Sequence, residues 1–267
     1  MIKFQSLPPA EAIEYFRQKG YLIGFNWEDV WQEEHQVAFT VAKAMQIDLL
    51  EDIRAAVDAA LVEGTTLAEF RKRLKPLLVQ KGWWGKAEME DPLTGEVKLV
   101  QLGSTRRLKT IYDTNLRTAH SEGQWERIQG NKSAFPYLQY DGNNSEHPRI
   151  QHSSWDNLVL PVDDPFWQSH TPIKEWGCKC RVIQLSGRML ERRGLEVNQS
   201  PKVPVYTYTN KRTGEVQQIP QGVHPAFNYP PGGRMANLNK LLNEKIDSLP
   251  DNLATAFKNL PGSTPKR

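Results

Sequence analysis

Four side chains of the kind that bind soft or borderline metals fall close together in this chain: His152, His170, Cys178 and Cys180. His147 stands just upstream as a spare. Thiolate and imidazole are the donors of tetrahedral zinc, and such a site can staple a loop-rich region that lacks a core of its own. The Cys-x-Cys spacing is tighter than that of a standard finger, and the histidine spacings match no standard pattern. A Cys178–Cys180 disulfide is disfavoured, because residues two apart rarely reach the required dihedral without strain. Two readings therefore stand side by side. Either these residues hold a structural zinc, or the cysteines alternate along a strand and the histidines make ordinary hydrogen bonds.

Catalytic chemistry has a weaker footing. The pair Asp163-Asp164 precedes Pro165-Phe166-Trp167, where acids serve as turn and cap residues more readily than as an acid–base pair. An enzyme of transferase or nuclease type would draw on Arg117, His152 and Asp164, but nothing in the sequence orders them as nucleophile, base and orienter. Nucleophilic Cys178 would need a paired histidine. No Gly-x-Ser-x-Gly elbow, Walker loop or dinucleotide fingerprint occurs. A DNA-binding accessory factor would use Arg106, Arg107, Lys109, Arg117 and Arg127, or the second cluster Arg71, Lys72, Arg73 and Lys75. These cations cover more than one helical face, which fits a solvated helix as well as a phosphate-facing stripe.

The elements that must position these groups are readable in part. Helical spacing is expected for Ala12, Ile13, Phe16 and Leu22, and the apolar stripe Trp27, Val30, Trp31, Val37, Val41 and Met45 continues it from Asn26 to Leu50. Ile53, Val57, Ala60 and Leu61 extend the pattern to a stop at Gly64, after which Thr65 or Thr66 caps a helix carrying Leu67, Phe70 and Leu74. Turn-rich sequence then leads to a short strand at 96–101 and a long amphipathic helix from about Thr105 to Gln129. Strands are expected at 137–140, 158–162 and 180–185, and a hairpin within 203–219. A weak helix with Leu238, Leu241, Leu242, Ile246 and Leu249 follows Arg234, and then a polar, frayed end. The fold class is α+β: a helical N-terminal part (1–80), a mixed helix and short-strand, loop-rich region (81–233) and a partly disordered tail (234–267).

Bulk properties exclude several classes. The chain has 267 residues, 39% of them apolar and 24% charged, near ordinary globular values. A net charge of +3 gives no global basic field. No stretch reaches the ~18 apolar residues of a membrane span, and Met1 to Glu14 shows no signal peptide. Two cysteines make no disulfide framework, so a reducing, cytoplasmic setting is expected. Trp83, Trp84, Trp155, Trp167 and Trp176 sit beside loop residues and are read as core packing, with partner anchoring as the alternative.

Six strings in order resemble one known family. Asp163-Asp164-Pro165-Phe166-Trp167-Gln168-Ser169-His170 leads to Trp176-Gly177-Cys178-Lys179-Cys180-Arg181-Val182. Upstream lie Arg106 to Asn115 with Arg117-Thr118-Ala119, and Arg149-Ile150-Gln151-His152 followed by Leu158 to Pro161. Pro9 to Phe16, Gly82-Trp83-Trp84-Gly85 and Thr209 to Glu215 complete the set. Together they resemble the Mu F-like minor head proteins of the phage head-morphogenesis family, from about Pro8 to Pro231. Ile150 stands where that family usually has Pro, Ile173-Lys174-Glu175 replaces a Pro-Asn-Gly run, and Lys179 replaces Arg.

The resemblance implies a low-copy head protein that assists capsid assembly and associates with the portal and with DNA packaging or ejection. Its partners would be portal and capsid proteins, with DNA as a further partner and no membrane. It would work in the bacterial host cytoplasm and lie in the virion head if retained. Arg107, Asn115, Arg117, Arg149, Asp164, Trp167 and Trp176 are the motif residues expected to shape or present an interaction surface, and the N-terminal helices are the expected docking element. The family's domain also occurs joined to toxins, but the tail after Gly233 is shorter than the ~50 residues of a small domain.

Overall fold

The computed structural model describes residues 9–142, 145–247 and 249–250. In chain order the first elements are α1 (Ala10–Arg17), β1 (Gly20–Tyr21), α2 (Glu34–Val37), β2 (Ala38–Phe39), α3 (Ile47–Glu63) and α4 (Leu67–Gln80). β3 (Lys86–Glu90), β4 (Val97–Gln101), α5 (Thr105–Asn131), β5 (Tyr137–Asp141), α6 (Ile150–Ser154), β6 (Val159–Pro161) and α7 (Phe166–His170) follow. β7 (Arg181–Leu185), α8 (Gly187–Arg193), β8 (Val205–Thr209), β9 (Val216–Pro220), a 3-10 turn (Pro225–Phe227) and α9 (Arg234–Asp247) complete the α+β architecture.

The axis of the molecule is α5. At 27 residues it is about 40 Å long, long enough to serve two cores in succession. Its first half, through Leu108, Ile111 and Ala119, packs with α1, α3 and α4 around Phe16, Leu50, Ile53, Phe70 and Leu78. Its second half, through Trp125 and Ile128, packs with Leu138, Tyr140, Leu160, Trp167 and Phe227. Local chemistry sets the helix ends. Thr66 caps α4 in a full capping box with Glu69, Gly64 closes α3 in the left-handed region, and the Ser104 side chain accepts from Arg107 N at the start of α5.

The three-stranded sheet has the order β6-β5-β7, antiparallel throughout, with Leu138 opposite Leu160 and Tyr140 opposite Val182. Alternation along β5 turns Leu138 and Tyr140 into the second core, while Tyr137 packs with Val159, Leu185 and Leu190 on the opposite face. Two hairpins, β3–β4 and β8–β9, stand apart from this sheet as separate two-stranded units.

Several expectations are corrected. The stripe from Asn26 to Leu50 is mostly buried but not one helix: it holds a single turn of helix at Glu34–Val37, a two-residue strand and turns until Ile47. Gln32 (φ 53°) and Lys43 (φ 67°) break helical geometry, and Asp29 Oδ2 accepts from Phe25 N and Asn26 N, 2.8 Å each, in a local turn. Leu22 lies beyond α1, which ends at Arg17. β3 was not expected; it pairs with the foreseen β4, Ala87 opposite Val100. Short α6, α7 and α8 fall where loop or strand signals dominated. The last helix ends at Asp247, before Leu249, and the expected frayed end lies outside the described residues. Among the described residues no helix is long and apolar enough to cross a membrane.

Candidate functional site

The second core contains a polar centre. α6 carries His152 inward, and the loop entering β7 carries Cys178 and Cys180; all three are buried, at 2%, 1% and 9% exposure. His152 Nδ1 lies 3.4 Å from Cys180 Sγ and 3.7 Å from Cys178 Sγ. Its other nitrogen, Nε2, is 2.8 Å from the carbonyl oxygen of Gly222. A carbonyl only accepts, so Nε2 carries a proton and Nδ1 is the nitrogen that faces the sulfurs. Both cysteines are free.

Backbone close approach makes this arrangement possible. A Cβ on Gly142 would stand 2.3 Å from the His152 carbonyl oxygen, and one on Gly222 would stand 2.4 Å from Trp155 Cη2. Gly222 also has φ +85°, which other residues rarely adopt. Arg149, at the N-cap of α6, donates from Nη2 to the Trp176 carbonyl at 2.7 Å and pairs through Nε with Glu175 at 2.9 Å. It therefore ties the approach to Cys178 onto the helix that bears His152.

Electrostatics follow from the burial. Cys178 is held well below the usual thiol range by a hydrogen bond from Cys180, with burial opposing and His152 assisting; Cys180 is correspondingly pushed up. At His152 burial disfavours the cation, but hydrogen bonds to Cys178 and Gly222 outweigh it and the pKa is raised. One imidazole and two sulfurs thus share a small buried volume.

His170, expected among the ligands, lies outside this group. Its Nδ1 meets Ser169 Oγ at 2.6 Å and its Nε2 the Gln221 carbonyl at 3.2 Å, and burial lowers its pKa to about 4. The Trp155 ring packs against both imidazoles, at 5.8 Å from His152 and 4.5 Å from His170. His147 is exposed.

The other motif residues are spread over several places. Arg107, Asn115 and Trp176 line one cavity of about 220 Å³, together with Trp27, Phe227 and Tyr229. Arg107 is fully engaged there: it donates to the carbonyls of Gln101, Leu102 and Ala42 and stacks 4.7 Å from the Trp83 ring, and burial lowers its pKa to about 10. Arg117 lines a separate cleft with His120 and Cys180. Asp164 accepts from Phe166 N at 2.9 Å and Ser200 Oγ at 2.7 Å, fixing the start of α7. Trp167 is fully buried and donates from Nε1 to the Pro161 carbonyl at 2.9 Å. Neither of Asp164's partners is Arg117 or His152.

The basic clusters are largely committed within the chain. Lys109 pairs with Asp113, Arg127 with Glu11 and Arg73 with Glu63; Arg71 donates to the Thr105 carbonyl, and Lys75 sits over the Trp84 ring.

Sequence reasoning missed a second polar centre. Arg212, in the β8–β9 turn, bridges Asp29 and Asp91 at 2.5 Å each, with only 10% of its side chain exposed. Asn210 and Tyr208 beside it hold Glu28, through its carbonyl and its carboxylate. The turn signals at 91–95 and 211–214 were visible, but no local pattern links them to Asp29.

Residues 51–183 match the family described as phage Mu protein F like protein. The chain is 41% identical over 214 residues to the putative capsid assembly protein F of Escherichia phage Mu, across 79% of this chain and 48% of that protein. It is 39% identical over 178 residues to the Mu-like prophage FluMu F protein of Haemophilus influenzae, across 67% of this chain and 42% of that one. The chain spans about half the length of the curated relatives it matches. No solved structure matches it.

Proposed function

This chain belongs to the phage Mu protein F-like family, and on that premise we propose that it acts in phage head morphogenesis as a minor head protein. The observation that carries the reading is the 41% identity over 214 residues to a putative capsid assembly protein. Within that role we place it at the portal, where it assists DNA packaging or ejection. Its partners are the portal and capsid proteins, and it works in the host cytoplasm while heads are built.

The reading is structural rather than catalytic. Arg117 lines a cleft apart from the other two, His152 meets the Gly222 carbonyl, and Asp164 fixes the start of α7, so the three do not converge on one another. Apolar side chains left at the surface fit assembly: Val97 and Leu99 on β4, Val205 on β8 and Val216 on β9 are each more than half exposed. Isolated two-stranded hairpins with such residues offer both apolar area and unpaired strand edges.

Affinity capture of the full chain, co-produced with the portal and major capsid proteins of the same phage, tests the placement. Recovery of portal in stoichiometric excess over capsid protein is expected. Capture of neither removes the portal assignment.

A further inference from the structure

We propose that His152, Cys178 and Cys180 are ligands of one zinc ion, bound through Nδ1 and the two Sγ atoms. The proposal is independent of the assembly role. It stands on distances, orientation and donor chemistry.

A tetrahedral zinc with Zn–S near 2.3 Å and Zn–N near 2.0–2.1 Å sets sulfur and nitrogen about 3.5 Å apart. The two separations found are 3.4 and 3.7 Å. All three ligand atoms lie within 4.8 Å of one another, so one ion reaches them together. Hydrogen bonding alone accounts for less. Cys180 Sγ has the Gly142 carbonyl as an acceptor at 3.8 Å, yet it stands closer, at 3.4 Å, to Nδ1, which Cys178 Sγ also approaches.

Orientation agrees with the distances. Metal-bound imidazoles usually donate their second N–H to a carbonyl or carboxylate, which fixes the tautomer and the ring plane. Gly222 supplies that carbonyl at 2.8 Å from Nε2. Two thiolates and one imidazole form a donor set that zinc takes in preference to the hard divalent cations. The described residues supply three of the four positions of a tetrahedron.

The ion would fasten segments far apart in sequence. His152 lies 26 and 28 residues from the two cysteines, and its ring reaches the turn after β9, 70 residues on. Short strands and loops dominate this half of the molecule, and a metal crosslink is a direct way to hold them.

The test uses the full chain, purified under reducing conditions without chelator. Metal analysis is expected to find about one zinc per chain. After stripping, cobalt(II) titration is expected to raise thiolate-to-cobalt charge-transfer absorption, roughly halved in Cys178→Ser and in Cys180→Ser because one of two sulfurs is lost. Wild-type protein without stoichiometric zinc, and without that absorption on cobalt addition, would overturn the proposal. So would a folded double variant, Cys178→Ser with Cys180→Ser, that still binds zinc with wild-type affinity.

Discussion

His152 Nε2 lies 2.8 Å from the carbonyl oxygen of Gly222 across a gap of 70 residues, and this one bond decides which face of the imidazole meets the two cysteines. The ring is oriented by backbone, so its aim depends on the path of the turn after β9.

Gly222→Ala is therefore expected to act on the distant sulfurs as well as on its own turn. The new Cβ would collide with Trp155 Cη2, and φ +85° disfavours any side chain. A loss of at least about 1 kcal/mol follows from the backbone strain alone, read by urea denaturation. If the zinc proposal holds, displacing this outer partner weakens metal affinity roughly 10–100-fold. A variant with wild-type stability would show that the turn is not constrained as described.

Arg149 makes a second prediction. Its guanidinium reaches the Trp176 carbonyl and the Glu175 carboxylate together, which a lysine ammonium on a flexible stem cannot reproduce. Arg149→Lys should cost about 1 kcal/mol, since the group is partly solvated. It should also speed amide exchange at Cys178, whose N–H bonds to Glu175. Unchanged exchange there would separate Arg149 from the cysteine loop.

Trp167 tests the core itself. It is fully buried, lies nearly parallel to the Tyr140 ring at 6.5 Å and donates to Pro161. Trp167→Ala should lose about 3–5 kcal/mol, seen as a shift in denaturation midpoint. Trp167→Phe should recover most of the packing but not the hydrogen bond.

The Asp29–Arg212–Asp91 bridge predicts a pH dependence. Hydrogen bonds from Arg212 hold the Asp91 carboxyl below the usual carboxylate range. A carboxyl whose folded pKa is depressed stabilises the protein above its unfolded value, near ~3.9, and that contribution is lost as pH falls through the folded value. Thermal melts of wild-type protein should therefore drop in midpoint below about pH 4. Asp91→Asn should melt lower than wild type at pH 7 and show a shallower acid decline. Parallel profiles for the two proteins would contradict the assignment.

What the sequence disclosed follows from what is local. α3 stops at Gly64, α4 begins after its Thr66 cap and α5 after Ser104, so these boundaries are readable from local signals. The segment from Asn26 to Leu50 misleads because Val30, Trp31 and Val41 have helical spacing but are buried through turns, two of them built on positive φ at Gln32 and Lys43. Strand β3 escaped notice because its pleat carries charge, Lys86, Glu88 and Glu90, on the solvent side.

At the site, ligand chemistry marked His152, Cys178 and Cys180 in advance, but it could not separate His152 from His170. Their difference lies in which backbone carbonyl each ring meets and in Nδ1, which faces Ser169 in His170 and the sulfurs in His152. A carbonyl has no side-chain identity, so Gly222 left no trace beyond being a glycine. The family strings divide between the two cores: Arg149, Trp167, Trp176 and the cysteines build or brace the second, whereas Phe16, Trp83 and Leu108 belong to the first.

The role proposed for this chain is in building a phage head. Sedimentation of assembling heads through a density gradient, with the chain followed by quantitative mass spectrometry, tests it most directly. The chain is expected to travel with portal-containing heads in a low, fixed ratio to the portal. A chain that stays at the top of the gradient while heads form normally without it would contradict the account.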